Sequence, residues 1–292
     1  SQLAAEIGQV ISSKTEVQGI LSSVSRILQE RLDFDRGAIL LSNEDRTRLI
    51  LKTAFGYSAN LLSSLDNFRF RLDQPESRGV FVQAFHERKP LLVSDISEIE
   101  DKLSPRSLAL VKETGTQSFI SCPIVCDGES IGILAVDNAR SNRPLLKSDM
   151  SLLMGIAPII GISIHNARLL EQRSKQFNST LQVLSASIDA RDFLTAGHSE
   201  KVTKYSVGIC KAMGLSEGET EMIRVAAMLH DYGKIGVPDF ILKKDGRLTP
   251  DERALVETHP GKTREILESI NFEGIYKQIP KIAGSHHEKI DG

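Results

Sequence analysis

Five of the seven histidines of this chain lie in its last third, and a carboxylate directly follows one of them in the pair His230-Asp231. Imidazole and carboxylate are ligands that transition metals accept readily. A hydrolytic centre with two metal ions needs several such groups, one of them a carboxylate that bridges the ions. The clustering therefore predicts a two-metal hydrolase site, and the alternative is a set of surface or core histidines with unrelated roles. The histidines concerned are His198, His230, His259, His286 and His287.

The residues around these histidines resemble the HD-GYP family, the cyclic di-GMP phosphodiesterase branch of the HD hydrolases. The resemblance runs from about Ser185 to the end of the chain. It implies an all-α HD-type domain that hydrolyses cyclic di-GMP to pGpG, to GMP or to both. Five blocks carry it, in this order: Ala190-Arg191-Asp192 with Thr195 to Ser199, His230 to Pro238, Gly246 to Thr249, His259 to Thr263, and His286 to Gly292.

The resemblance also implies a ligand set and a choice of metals. Asp231 and Lys234 are the expected catalytic residues, with Asp231 as the bridge and Lys234 placed to contact a phosphate. The family favours iron or manganese, and an imidazole-rich set also admits nickel, cobalt or zinc. Members with a third metal carry Glu where Leu194 stands, so two ions are expected. The implied ligands are His198, His230 and Asp231 for one ion, and Asp231, His259, His286 and His287 for the other.

The chain ends within the next block of the family pattern. In the family, Asp-Gly is followed by Gly-Tyr-Pro and by a more distal aspartate that completes one metal site, whereas Asp291-Gly292 is the end here. We therefore expect a piece of a longer protein, against the alternative of a naturally short and degenerate domain. A protein that ended at Gly292 is expected to bind fewer metal ions and to be nearly inactive.

Composition bounds the remaining function classes. A length of 292 residues predicts two domains, each large enough for its own core. The net charge of −2 argues against binding to duplex nucleic acid. No apolar run approaches the length of a membrane span, and no signal peptide is visible. Three cysteines do not make a disulfide framework, so a reducing cytoplasm is the expected location.

Four residues outside the C-terminal region could bind metals, but their setting favours structural roles. Cys122 and Cys126 lie four apart in a strand-like stretch and share a face, which is more typical of core residues than of ligands. His86 and His165 are isolated in sequence, and each is expected to be a structural or surface residue.

The first 165 residues predict an α+β domain, an antiparallel sheet with helices on one face. Apolar residues from Leu3 to Leu28 recur three and four apart, which indicates an amphipathic helix or a helix pair. Asp127-Gly128 lies between two strand-like runs and indicates a hairpin turn. The predicted strands are residues 37–41, 48–53, 119–125 and 130–136.

This order of elements resembles a GAF domain. GAF domains as a family bind small molecules or dimerise, so an unidentified small-molecule ligand is expected. The Asn-Lys-Phe-Asp-Glu pattern of members that bind cyclic nucleotides is absent, and nothing marks a haem or bilin site. The resemblance is carried by Gly37 to Leu41, Pro90 to Asp95, Ser118 to Pro123, Gly132 to Val136 and Ile160 to Ala167.

A long helix is predicted between the two parts. Residues of one face, from Ile160 to Ile188, alternate three and four apart, which is heptad periodicity. One interpretation is the face of an ordinary core helix. The favoured one is a parallel homodimer that joins sensor to effector, with the firmest contacts between Phe177 and Ile188. The predicted organisation is a GAF sensor domain (1–165), a helical linker (166–184) and a partial HD-GYP domain (185–292).

Two helix starts are legible in the C-terminal part. Ser216 and Thr249 each precede a Glu by three residues, as in a capping box. The first helix is expected to end near His230, and the second is expected to carry His259.

Two function classes follow from the sequence. The first is a metal-dependent cyclic di-GMP phosphodiesterase gated by the GAF domain. The second is a catalytically inactive dimeric sensor or scaffold that retains metal or nucleotide binding. A different cyclic dinucleotide, such as a mixed guanine–adenine one, is a further alternative for the substrate.

Overall fold

The computed structural model describes residues 2–12, 14–68, 70–74, 79–191 and 197–289. The chain divides into two compact units, Ser1–Gln172 and Arg173–Gly292. Several positions of the predicted motifs lie outside the described residues. They are Asp192, Leu194, Thr195, Ala196, Asp291 and Gly292, so the expectation of two metals that rests on Leu194 stays a prediction.

The first unit contains six strands and the helices that cover them. The predicted helix pair at the start is present, and strands β3 and β4 are additions to the four predicted from sequence. The elements are α1 Gln2–Ser12, α2 Val17–Arg31, β1 Arg36–Ser42, β2 Arg48–Phe55, α3 Ala59–Asn67, β3 Phe70–Arg71, α4 Val80–Glu87, β4 Leu91–Val93, α5 Pro105–Thr114, β5 Phe119–Cys126, β6 Glu129–Asp137 and α6 Lys147–Asp189.

The strands form one antiparallel sheet in the order β3-β2-β1-β6-β5-β4. The hairpin predicted at Asp127-Gly128 is confirmed, because Cys126 pairs with Glu129 across a two-residue turn. Asp127 and Gly128 both have positive φ angles, 51° and 77°, as a type I′ turn requires. The hairpin places β5 and β6 in register and aligns β6 beside β1 at the centre of the sheet.

Helices cover both faces of the sheet, so the expectation of helices on one face is wrong. On one face, Ile39 and Ile120 pack with residues of α1, α2 and α6. On the other, Leu40 and Ile133 pack with Phe85 of α4. The reason is visible in β1, whose every residue is buried. An unbroken apolar strand of this kind is typical of a sheet covered on both sides.

A buried ion pair joins the two central strands of the sheet, β1 and β6. Arg36 Nε donates to Asp137 Oδ1 at 2.7 Å, and both side chains are about 5% exposed or less. The remaining guanidinium nitrogens donate to the carbonyl of Thr114 at 2.8 Å and to Thr116 Oγ1 at 3.1 Å. Asp137 also accepts from the Tyr57 hydroxyl at 3.4 Å. The charge of each partner is therefore met by protein atoms.

The heptad face of α6 is buried within the chain at its two ends, whereas Leu170 in its middle is 52% exposed. Ile160 and Ala167 belong to the core of the first unit, at 0% and 3% exposed. Leu181 belongs to the core of the second unit, where Phe177 and Leu184 pack against it. The two ends of this seam thus have partners within the chain, as the alternative of a core helix predicts for these positions, and the homodimer stays a prediction. The periodicity was real, but intrachain packing produces the same pattern as a coiled coil.

One described helix, α6, is long and apolar enough to cross a membrane by length and composition alone. The sequence has no unbroken apolar run of that length, but an 18-residue window of this helix still has a mean hydropathy of 1.5. Core packing explains the apolar character, since five residues of this stretch belong to the core of the first unit. They are Leu153, Ile156, Ala157, Ile160 and Ile164. The helix is weak support for a membrane span.

The second unit is helical throughout its described residues. Its core joins the end of α6 to Val225, Leu229, Leu267 and Ile279. Its elements after α6 are α7 His198–Ala212, α8 Glu217–Leu229, a 3-10 turn Tyr232–Gly236, α9 Asp239–Leu242, α10 Pro250–Val256, α11 His259–Glu268, a 3-10 turn Gly274–Tyr276 and α12 Ile279–Gly284.

Both predicted capping boxes are confirmed. The side chains of Ser216 and Thr249 accept from the backbone of Glu219 and Glu252, and those glutamates return the bond. One expectation is wrong: the helix that starts after Thr249 ends at Val256, and His259 begins the next helix. Pro260 is the signal for that start, since proline favours the first turn of a helix.

Candidate metal centre

The six candidate ligands come from four helix ends in the second unit. His198 is the first residue of α7, after Gly197 in a left-handed conformation with φ 72°. His230 caps the end of α8, and Asp231 directly follows it. His259 begins α11. His286 and His287 follow the end of α12. At a helix end, a side chain is free of the neighbouring turn, so residues distant in sequence can meet there.

Asp231 lies at the centre of this cluster, and its two oxygens face different histidines. Oδ2 is 3.3 Å from His230 Nε2 and 3.9 Å from His198 Nε2. Oδ1 is 3.2 Å from His259 Nε2 and 3.6 Å from His286 Nε2. The side chain is only 8% exposed. One carboxylate therefore connects two separate groups of imidazoles.

Local hydrogen bonds orient three of the rings in the same way. Nδ1 of His230 donates to the carbonyl of Ala227 at 2.6 Å. Nδ1 of His259 donates to Val256 at 2.7 Å, and Nδ1 of His286 donates to Ala283 at 2.7 Å. In each case the acceptor lies three residues earlier. A carbonyl can only accept, so each Nδ1 carries a proton and a neutral ring presents the Nε2 lone pair.

The donor set fits bound cations. Two groups have their ligand atoms within 4.8 Å of one another, and they are His198, His230 and Asp231, and His259, His286 and His287. His259 Nε2 and His286 Nε2 are only 3.0 Å apart. Because both Nδ1 atoms are protonated, these two Nε2 atoms would repel as neutral acceptors. A cation that accepts both lone pairs removes the repulsion.

Electrostatics favour the same interpretation. Burial alone raises the pKa of Asp231, but hydrogen bonds from His230, His259 and His286 outweigh it and hold that pKa well below its usual range. Burial, followed by repulsion from His286 and His259, lowers the pKa of His287. The rings of His259 and His286 have centroids 5.0 Å apart, so full protonation of the cluster would be repulsive. Without a cation, these hydrogen bonds place a second proton on the imidazoles that face Asp231. A bound cation would replace those protons, because an ionised carboxylate and neutral imidazoles are metal ligands.

Gly233 and Thr263, to which the sequence patterns assigned no role, connect the segments that carry His230 and His259. Gly233 N donates to Thr263 Oγ1 at 2.8 Å, and that hydroxyl donates to the carbonyl of His230 at 2.8 Å. Thr263 is fully buried. A Cβ at Gly233 would lie 2.0 Å from the carbonyl oxygen of His259, so only glycine allows the two segments to meet. Both residues lie within the sequence blocks that resemble the HD-GYP family, and this resemblance was the signal that could have identified their role.

Lys234 contacts the carboxylate itself. Its Nζ is 2.9 Å from Asp231 Oδ2, and its side chain is 12% exposed. The 3-10 turn Tyr232–Gly236 brings it back toward Asp231. The expectation was a phosphate contact, and the structure adds a contact with the proposed bridge. Lys234 also lines the cavity in front of the histidines.

A cavity of about 1010 Å³ opens over the cluster. Its walls combine the histidines with apolar side chains, including Val202, Met222, Ile223 and Ile282. Ligand cavities usually measure about 300–1,000 Å³. This volume suits a ligand of several hundred daltons, and the ligand atoms of the histidines lie at one wall.

Comparison with protein families assigns both units. Residues 16–164 match the GAF domain family, and residues 182–292 match the HD domain family. The first match covers more than half of the chain. The GAF fold and the helical HD fold expected from the sequence are thus confirmed.

Two relatives named as cyclic dinucleotide phosphodiesterases match part of the chain. The 3'3'-cGAMP-specific phosphodiesterase 3 of Vibrio cholerae is 40% identical over 105 residues, 36% of this chain and 22% of that protein. A cyclic di-GMP phosphodiesterase of Thermotoga maritima is 38% identical over 132 residues, 42% of this chain and 36% of that protein. The chain therefore spans well under half the length of either relative.

A solved structure is similar to part of the chain. The GAF domain/HD domain protein of Geobacter sulfurreducens is 17% identical, with a TM-score of 0.46, and the match covers 55% of this chain and 98% of that one.

Proposed function

We propose that this chain, which belongs to the GAF domain family and carries an HD domain after it, acts as a metal-dependent phosphodiesterase on cyclic di-GMP. The observation that carries the proposal is the position of Asp231. Its two oxygens face two groups of imidazoles, at 3.3 Å from His230 and 3.2 Å from His259. A carboxylate in that position can hold two ions together, and two-ion sites are typical of phosphodiester hydrolysis.

Two divalent transition-metal ions are proposed as cofactors, with iron or manganese favoured. Imidazole nitrogen and carboxylate oxygen suit these metals, and nickel, cobalt and zinc are also compatible. The ligands of the first ion would be His198, His230 and Asp231. Those of the second would be Asp231, His259, His286 and His287.

Two such ions supply a water-derived nucleophile at neutral pH and offset the charge on the phosphoryl oxygens. The protein residues prepare the site for that chemistry. The carbonyls of Ala227, Val256 and Ala283 hold three imidazoles in one tautomer. Lys234 Nζ, at 2.9 Å from Asp231 Oδ2, adds positive charge beside that carboxylate and at the cavity wall.

The relatives name a second candidate substrate. The relative that is 40% identical over 105 residues is specific for 3'3'-cGAMP, whereas the Thermotoga maritima relative acts on cyclic di-GMP. Both substrates share the phosphodiester that the metal centre would hydrolyse. They differ in one base, and the base contacts determine the choice between them.

The first unit is proposed to be a sensor that takes a small-molecule ligand and regulates the second, in a cytoplasmic protein. The proposed organisation is a sensor at residues 1–165, a linker at 166–184 and an HD-GYP part at 185–292.

We also propose a homodimer whose contact lies on the exposed side of α6. Ile162 and Leu169 are 54% and 39% exposed there and lie seven residues apart, as coiled-coil contacts do. Charged substitutions at both should give monomers in light scattering, and an unchanged dimer would contradict this contact.

Product analysis tests the activity. The protein would be purified anaerobically, stripped of metal with a chelator, and reloaded with iron or manganese. We expect hydrolysis of cyclic di-GMP to pGpG or GMP only after reloading, with 3'3'-cGAMP assayed in parallel. Preferred turnover of 3'3'-cGAMP would select the second substrate. Bound metal without turnover of either substrate would instead support the inactive sensor or scaffold.

A further inference from the structure

We propose a second metal site in the first unit, formed by Cys126, Asp127 and His165, which takes a thiophilic divalent ion such as Zn²⁺. Their ligand atoms, the cysteine sulfur, a carboxylate oxygen and an imidazole nitrogen, lie within 4.8 Å of one another. None of the three belongs to the centre around Asp231, which lies in the other unit. The site is independent of the proposed hydrolytic function.

The β5–β6 hairpin presents two of the ligands. Cys126 is the last residue of β5, and Asp127 is the first residue of the two-residue turn. The side chain of Asp127 is 79% exposed, while Cys126 is 8% exposed at the end of its strand. Cys122, four residues earlier on the same strand, is fully buried in the core. Cys126 thus lies where the core meets solvent, beside a carboxylate.

Helix α6 presents the third ligand. His165 Nε2 is 3.5 Å from Asp127 Oδ2, and its side chain is 41% exposed. One turn earlier, a Cβ at Gly161 would lie 2.8 Å from the carbonyl oxygen of Val125. The absence of a side chain at Gly161 therefore allows the helix to touch the end of β5. This close approach holds the histidine against the hairpin.

The ligand types select the ion. An exposed His–Asp ion pair by itself contributes little to stability. Such a pair also gives no reason for a cysteine sulfur to lie beside it. Thiolate, imidazole and carboxylate together form a set that Zn²⁺ prefers, with bond lengths of about 2.0–2.3 Å. Those bonds need ligand atoms about 3–4 Å apart, and His165 Nε2 and Asp127 Oδ2 are 3.5 Å apart. With three protein ligands, the fourth position remains for water.

Sulfur ligation gives a signature that the other centre lacks. The candidate ligands around Asp231 are imidazoles and one carboxylate. Cobalt(II) bound to a thiolate produces an intense charge-transfer band in the near ultraviolet, whereas cobalt(II) bound to nitrogen and oxygen does not. Cobalt(II) titrated into the metal-stripped full chain therefore reports on the Cys126 site even when the Asp231 centre also fills.

We expect the band to saturate at one equivalent of sulfur-bound cobalt and to disappear when Zn²⁺ displaces it. Cys126→Ser should abolish the band, and His165→Gln and Asp127→Asn should weaken binding by at least about tenfold. Asn suits a positive φ angle, and His165 and Asp127 lie at the surface, so these two variants preserve the fold. Cys122→Ser, Cys210→Ser and His259→Ala are the matched controls and should retain the band.

The proposal is overturned if the parent chain gives no band, or if the band survives in Cys126→Ser. It is also overturned if both His165→Gln and Asp127→Asn bind cobalt as the parent does. Circular dichroism of each variant shows whether it is folded. Should Cys126→Ser fail to fold, the two surface variants decide the outcome.

Discussion

Two buried aspartates, Asp137 in the first unit and Asp231 in the second, show how a buried charge can serve the fold or serve a ligand. The side chains are 4% and 8% exposed. Asp137 has one permanent cation, Arg36, whose other nitrogens are also bonded to protein atoms. Asp231 is surrounded by imidazoles and Lys234, and the cluster borders a cavity. The first set of charges is complete without a ligand, whereas the second gathers lone pairs that a cation can accept.

The largest expected effect is at Asp231. Asp231→Asn keeps the shape of the side chain but removes the charge that both groups of imidazoles share. We expect the loss of several kcal/mol of transition-state stabilisation, about a 1,000-fold fall in kcat/KM, together with a lower metal content. His259→Ala should remove chiefly one of the two ions. Asp239→Asn, an exposed aspartate of the same unit, is the matched control. Parent-level turnover by Asp231→Asn would refute the bridging role.

The second effect concerns stability rather than catalysis. Arg36→Met leaves Asp137 buried without its cation, which should destabilise the first unit by about 3–5 kcal/mol. Hydrogen exchange of peptides from β1 and β6 measures this locally. The double variant Arg36→Met/Asp137→Leu should recover much of the loss, because no charge remains buried. Equal exchange rates in the single variant and the parent would show that Asp137 is not held by Arg36.

The third effect tests Lys234. Lys234→Met preserves much of the apolar stem and removes the ammonium that lies 2.9 Å from Asp231. We expect turnover to fall about 10- to 100-fold while the metal content stays near that of the parent. Lys243→Met, an exposed lysine paired with Asp239, serves as the control. A loss of metal equal to that of Asp231→Asn would mean that Lys234 acts mainly by holding the carboxylate.

The smallest effect is at Thr263. Thr263→Val removes the hydroxyl that accepts from Gly233 and donates to His230. Two buried backbone groups lose their partner, so the second unit should be destabilised by about 1–3 kcal/mol. Thr263→Ser keeps both bonds and should remain closer to the parent. Thermal unfolding followed by circular dichroism compares them, and equal stability of Val and Ser variants would contradict this role.

The same contrast explains what the sequence could predict. The capping-box patterns at Ser216 and Thr249 predicted the starts of two helices, because a capping box is a local interaction. Asp127-Gly128 likewise predicted the hairpin, because a two-residue turn is also a local interaction. The histidines could be grouped by type and by resemblance to a family. Their arrangement around the two oxygens of Asp231 depends on how four helix ends pack, which no local pattern specifies.

The errors have a common physical origin. The face from Ile160 to Leu181 has the periodicity of a dimer seam, but that periodicity does not say what packs against its buried positions. Both the cover of helices on the two sides of β1 and the burial of positions on the α6 face depend on tertiary packing. The break before His259 was different, because Pro260 carried a local signal for a new helix start.

The bonds from His230, His259 and His286 to carbonyls three residues earlier have an entropic consequence. Each ring is pinned by its own turn, at 2.6–2.7 Å, so its rotamer is selected by the local backbone. Immobilising a free side chain on binding usually opposes association by about 0.5–1.5 kcal/mol. Here that ordering accompanies folding. Ions can therefore exchange at a receptor that is already shaped for them, and loading need not wait for the rings to find their orientation.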